Sequence, residues 1–215
     1  VTTALANEIR QYTLDNYGGY DAGYINLVTY DSTHEEWTVK LDAVISDAHR
    51  ATLNVSHSED LLPQRYNNWS RTVFSNNWYY KDPEIDRASV TLYSDWSDKL
   101  STKLKYTSYE MLEDDSSYGD DLFPEMNITI TDSVTGDRDN VFLGGDRYRG
   151  ANLINVESEF LTFKADYNND DHVYTFGFER DDSDVVNLFI ARYNAEVRFS
   201  SFEDYKNGVW SRLRI

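Results

Sequence analysis

The chain has 215 residues, with 20 Lys+Arg against 38 Asp+Glu, a formal charge of −18 and a pI near 4.4. A phosphate backbone needs a basic footprint, so nucleic acid is excluded as a partner; the absence of cysteine excludes disulfides, thiolate catalysis and thiolate metal sites. No apolar run approaches the roughly 18–20 residues of a membrane helix, which leaves a β-barrel open, because its strands of about 10 residues alternate lipid-facing and lumen-facing side chains.

In chain order, residues 1–10 lack a basic segment followed by an apolar one, so no signal peptide is expected there. From Glu36 onward Trp37, Val39, Leu41, Ala43 and Ile45 alternate with Thr38, Lys40 and Asp42, a period of two that predicts a strand with one greasy face. After Asp47-Ala48-His49 the alternation resumes with Ala51, Leu53 and Val55, which predicts a hairpin over about 36–57. A second hairpin is predicted over about 87–110, where Ala88, Val90, Leu92 and Trp96 lead through Ser97-Asp98-Lys99 to Leu100, Leu104 and Tyr106. A third falls over about 158–180, with Leu161, Phe163, Ala165 and Tyr167, a turn, and Tyr174, Phe176 and Phe178. The stretches 58–86, 111–156 and 181–215 are polar, rich in Asp, Asn and Tyr, and read as long loops.

Tight turns at one end and long excursions at the other are the layout of an outer-membrane barrel. Lys40, Lys103, Lys105 and Lys164 all take the parity opposite the apolar residues, where a water-filled lumen accepts them. Trp37, Trp96 and Tyr167 stand near strand ends, where an aromatic girdle meets the membrane surface. Period two looks the same in the sheet of a soluble sandwich, so alternation alone does not choose between the two settings.

Several local strings resemble the barrel region of Oar-like, OmpA-related TonB-dependent receptors. They are YINLVTYD at 24–31, EWTVKLD at 36–42 leading to DAHRATL at 47–53, VFLGGDRYR at 141–149, TFGFER at 175–180 running to NLF at 187–189, and FSSFEDYKNG at 199–208. The resemblance covers most of the chain but a minor part of such a receptor, with no plug domain or TonB-interacting segment in it. It implies an all-β fold of antiparallel, up-and-down strands forming part of a transmembrane β-barrel with long extracellular loops in the bacterial outer membrane. It also implies TonB-energised uptake of a substrate such as an oligosaccharide, peptide or metal chelate. The partners expected are outer-membrane lipid, the transported substrate and TonB, the last through regions outside this chain. Rival readings are a passive porin or structural barrel, and a soluble acidic β-sandwich that binds carbohydrate.

No catalytic signature stands out, so no enzyme activity is expected: there is no Gly-x-Ser-x-Gly elbow and no phosphate-cradling loop. His34, His49, His57 and His172 are scattered, mostly at expected turns or strand ends, and suggest no zinc site. Asp166-x-Asn168-x-Asp170 imitates a calcium loop, but Asp171 and Gly177 stand where Gly and Glu are required. Asp114, Asp115, Asp120 and Asp121, beside Glu113, are weak candidates for binding Ca2+ in an acidic loop; no other cofactor is expected. Ligand contacts are expected from the flat amphipathic rings of Trp69, Trp78, Tyr79 and Tyr80 near Arg65 and Arg71, and from Arg147 and Arg149. The bland alternatives are rings that pack the loops on one another and arginines paired with neighbouring carboxylates.

Overall fold

The computed structural model describes residues 1–25, 31–65, 70–119 and 123–215. Helix α1 (Thr3–Asn16) is followed by strands β1 (Thr33–Ser46), β2 (His49–Gln64), β3 (Arg71–Val73), β4 (Tyr79–Lys81), β5 (Glu84–Ser97), β6 (Leu100–Asp114) and β7 (Ser116–Ser117). Then come β8 (Glu125–Thr131), β9 (Arg138–Leu143), β10 (Asn152–Asn169), β11 (His172–Phe189), β12 (Glu196–Phe199), helix α2 (Phe202–Lys206) and β13 (Arg212–Arg214). The chain is mostly β and its principal sheet is antiparallel.

Six long strands form that sheet in the order β1, β2, β5, β6, β10, β11, each antiparallel to its neighbours. Its three tight turns, at Ser46–His49, Ser97–Leu100 and Asn169–His172, lie where alternation of side chains predicts hairpins. Each strand outruns the expected hairpin: β10 and β11 stay in register from Asn169↔His172 to Asn152↔Phe189, which takes in residues expected to be loop. The sheet does not close among the described residues, since β1 pairs only with β2 and β11 only with β10.

The rest of the expected loops build a compact α/β body at the end away from the turns. Its mixed sheet runs β13, β12, β8, β9, β3, with β12 parallel to β8 and β3 parallel to β9. Met126 and Ile128 on β8, Val141 and Leu143 on β9, and Phe199 on β12 form a buried cluster with Ala6 and Ile9 of α1 and Tyr205 of α2. Phe142, at the opposite parity of β9, packs instead with Val73 and Trp78. Residues 1–10 are thus mostly helix: the Thr2 hydroxyl caps it by accepting from the Leu5 N–H, and Ala6, Ile9 and Thr13 recur at helical spacing on its buried face. Arg10 fastens that helix to the next segment by donating to both Asp21 carboxylate oxygens, at 2.6 and 2.5 Å.

Candidate functional site

Strand register defines two faces of the long sheet. One row of partners across the six strands reads Leu41, Leu53, Val90, Tyr106, Leu161, Arg180, and the row two residues nearer the turns reads Ala43, Ala51, Leu92, Leu104, Phe163, Phe178. The row between them points the other way and reads Asp42, Thr52, Thr91, Lys105, Thr162, Glu179. The lysines Lys40, Lys103, Lys105 and Lys164 share the polar face with Arg50 and Arg87, and the ion pairs Lys40–Asp42 and Lys164–Asp166 close at 2.9 Å.

Burial inverts the usual preference. Leu41 is 59% and Phe176 57% exposed on the apolar face, whereas Thr91 on the polar face is only 4% exposed. No second sheet of the described residues covers Trp37, Leu41 and Phe178, all exposed. Trp37, Val39, Leu53, Val90, Leu92, Leu104, Tyr106, Tyr167 and Tyr174 extend the patch, so its uncovered apolar area is on the order of 1,000 Å², above what a soluble monomer leaves bare.

Toward the body the patch gives way to charge, sooner on β11, where Arg180 shares the Leu41 row, than on β5 and β6. Asp86, Glu110, Glu157 and Asp184 face one another in a single row across four strands, with Glu159 opposite Asp182 in the row before. Here His57, the last residue of the first expected hairpin, lies within β2, with Nδ1 3.0 Å from Asp86 Oδ1 and 4.0 Å from Glu84 Oε1, and its ring stacks near Trp37. Candidate ligand atoms of His57, Glu84 and Asp86 all lie within 4.8 Å of one another, a grouping that needs three-dimensional pairing of β2 with β5 and leaves no linear motif.

The expected ligand residues are placed differently. Trp78 and Tyr79 are buried at 2% and 1% exposure, which withdraws their rings from a ligand in this conformation, and Tyr80 is half-buried beside Tyr118. Arg147 donates to Glu196 at 2.9 Å and lies 3.5 Å from Glu125, while Arg149 donates to Asp115 at 2.9 Å and sits over the Tyr79 ring. Asp115 also accepts from Asn152 at 2.5 Å, so it serves the joint between β6 and β10 and not an open acidic loop; Asp114 is the exposed last residue of β6. Trp69, Asp120 and Asp121 lie outside the described residues.

The body encloses a charged cluster that no motif announced. Burial pushes the Glu125 carboxyl above the usual range, with Arg147 offsetting part of the effect. Burial acts on Glu196 in the same direction, but Arg198, Arg192 and Arg147 outweigh it and hold that carboxyl low. Asp146 is raised by burial although its side chain accepts from the Tyr148 N–H. These groups hold β8, β12 and the segment after β9 together. Comparison with protein-family models, curated proteins and solved structures finds no match.

Proposed function

We propose that the chain contributes the wall of a transmembrane β-barrel in the bacterial outer membrane, with lipid on the Leu41 side and an aqueous passage for solute on the Lys105 side. The carrying observation is the exposed apolar patch backed by a face with six Lys and Arg side chains. Along β1 the apolar parity runs from Trp37 to Ile45, about 27 Å of strand, or about 20 Å of height at ordinary barrel tilt. That is a few ångströms less than the usual band of about 25 Å, a mismatch costing fractions of a kcal/mol per ångström. The acidic row at Asp86, Glu110, Glu157 and Asp184 then marks the water side of the border.

In its most specific form the barrel takes up an oligosaccharide, peptide or metal chelate with energy from TonB, a proposal resting on the local strings that resemble Oar-like receptors. A passive barrel is the second reading. It draws on the same exposed apolar face and the same Lys- and Arg-bearing opposite face, without the TonB-energised step.

Reconstitution into vesicles tests the common core of both. Brominated lipid chains should quench fluorescence of a variant that keeps Trp37 alone among the tryptophans, and the vesicles should leak small solutes. Unquenched Trp37 in a protein that stays monodisperse without detergent would overturn the membrane assignment. Uptake that continues in cells after TonB is removed would leave the passive form.

A further inference from the structure

We infer that His57, Glu84 and Asp86 form a binding site for a divalent transition-metal ion of the Zn2+ class. Strand pairing builds it: His57 of β2 is the Cα partner of Asp86 of β5, and Glu84 stands two residues before Asp86, so the three side chains leave the same face of the sheet. Their candidate ligand atoms lie within 4.8 Å of one another. Both carboxylates gather at one imidazole nitrogen, with Asp86 Oδ1 3.0 Å and Glu84 Oε1 4.0 Å from His57 Nδ1. Two donors each about 2.1 Å from one ion are about 3 Å apart when adjacent and about 4 Å apart when opposite, so both separations suit a shared ion. The imidazole is also held in place, since its ring stacks on Trp37 at 5.8 Å between centroids and its side chain is only 21% exposed.

His34 shows the contrasting arrangement. Its Nδ1 meets Asp60 at 2.6 Å and its Nε2 faces Glu36 at 3.6 Å, so the two carboxylates stand at different nitrogens and share no point where one ion would meet both. Charge around His57 points to a cation independently of the donor geometry. The same face carries Glu35, Glu59 and Glu84 in one row and Asp86, Glu110 and Glu157 in the next, and among the described residues none of these pairs with Lys or Arg. The buried Glu196, by comparison, gathers several arginines. Like charges at adjacent ladder positions repel, and a row left uncompensated concentrates cations at the surface. The imidazole then selects among them: one nitrogen with two carboxylate oxygens suits Zn2+ and its first-row neighbours, whereas Ca2+ and Mg2+ take oxygen donors. Three protein donors leave the rest of the coordination sphere to water, so the ion is exchangeable, and its binding clips β2 to β5 where their carboxylates repel. The site depends on the β2–β5 ladder and not on which medium faces the sheet.

Calorimetric titration of Zn2+ into the full chain, stripped beforehand with a chelator, tests the assignment. His57→Gln and Asp86→Asn should each weaken binding by at least about tenfold. Glu157→Gln removes the same unit of charge from the acidic row without touching the site and should change the affinity by less than about twofold. Ca2+ at about hundredfold excess should leave Zn2+ bound. Zn2+ should also raise the melting temperature of the parent but not of His57→Gln, and added chelator should reverse the rise. Absence of uptake by the folded parent, uptake indifferent to His57→Gln, or displacement by Ca2+ would overturn the site. Equal weakening by Glu157→Gln and Asp86→Asn would overturn it too, by reducing the binding to diffuse attraction. Zn2+ uptake by protein that never enters vesicles would keep the site and sink the barrel wall; vesicle entry without uptake would do the reverse.

Discussion

Glu125 and Glu196 are Cα partners on the adjacent parallel strands β8 and β12, and both side chains are completely buried. The Arg147 guanidinium bridges them, with Arg192, Arg198 and Arg214 around Glu196 and Asn77 donating to Glu125. Two like charges at neighbouring positions of a ladder repel, and the surroundings resolve the conflict unequally: arginines gather on Glu196, whereas Glu125 bears a desolvation cost that one bridging guanidinium only partly offsets.

That inequality sets opposite responses to substitution and pH. Glu196, held low, contributes stability that is present above its unfolded pKa and is lost as pH falls through the folded value. Glu125, held high, contributes stability present below its unfolded pKa and lost as pH rises through its folded value. Glu125→Gln should therefore raise the melting temperature of the body at pH 7, with the gain shrinking toward pH 4. Glu196→Gln should destabilise it at pH 7 by about 1.5–3 kcal/mol, because the partly buried Arg147, Arg192 and Arg198 lose a shared carboxylate. Melting curves of both variants between pH 4 and pH 8 check the signs; a loss for Glu125→Gln as large as that for Glu196→Gln would contradict the division of roles.

A charge on the outward face should impair membrane assembly more than the same charge on the inward face. Leu41→Glu, Leu92→Glu and Phe163→Glu each place a carboxylate in the apolar rows, at a cost somewhat below the about 2–4 kcal/mol of a midplane Lys or Arg on the lipid side. Thr38→Glu and Thr162→Glu lie on the polar face and should assemble normally. Ser89 is a poor control despite its polar-face position, because its side chain is itself buried. The fraction of each variant recovered in vesicles measures the difference, and equal recovery would refute the facing assignment.

These two predictions draw on parts of the molecule that were unequally legible. Alternation of Trp37, Val39 and Leu41 against Thr38 and Lys40 carries sheet, face and turn positions along the chain, since a period of two is local information. The body is held by contacts between distant segments: Ala6 and Ile9 meet Ile128, Val141 and Phe199 through strands of four to seven residues, too short to show a period. Trp78 and Tyr79 looked like a binding platform because amphipathic rings in polar sequence suit ligands and loop packing alike. The Thr2 cap and the helical spacing of Ala6, Ile9 and Thr13 were readable signals for α1. The Glu125–Glu196 pair was not, because register between strands about 70 residues apart leaves no trace in either segment.

Gly177 should prove intolerant of any side chain although it lies within a long strand. A Cβ there would stand 2.2 Å from the Phe163 carbonyl oxygen and 3.3 Å from Lys164 Cα, both fixed by the β10–β11 ladder. Elsewhere, replacing glycine in a strand favours the folded state by restricting the unfolded chain. Here the backbone must shift, so Gly177→Ala should destabilise the hairpin by about 1–3 kcal/mol. Faster amide exchange at Phe163, Ala165 and Phe178, with body amides unchanged, is the expected signature; unchanged exchange at all three would show that the close approach is not required.

Tyr205 offers a test of the body that is independent of the long sheet. Its hydroxyl lies 2.8 Å from Thr13 Oγ1, both side chains are fully buried, and Thr13 donates onward to the Ile9 carbonyl at 2.7 Å. Since the single Thr13 hydroxyl proton is used on Ile9, Tyr205 is the donor in the first link, and burial raises its pKa well above that of a free phenol. Tyr205→Phe keeps the ring stacked on Tyr17 and edge-on to Phe199 and removes only that donor. Thr13 retains its own acceptor, so no buried donor is orphaned and the loss should be about 1 kcal/mol. Thr13→Val is harsher, because it strands the Tyr205 O–H in an apolar core and should cost about 1–3 kcal/mol. Denaturant titrations of the two variants should rank them in that order; the reverse ranking would place the proton on the other oxygen and undo the assignment of donor and acceptor.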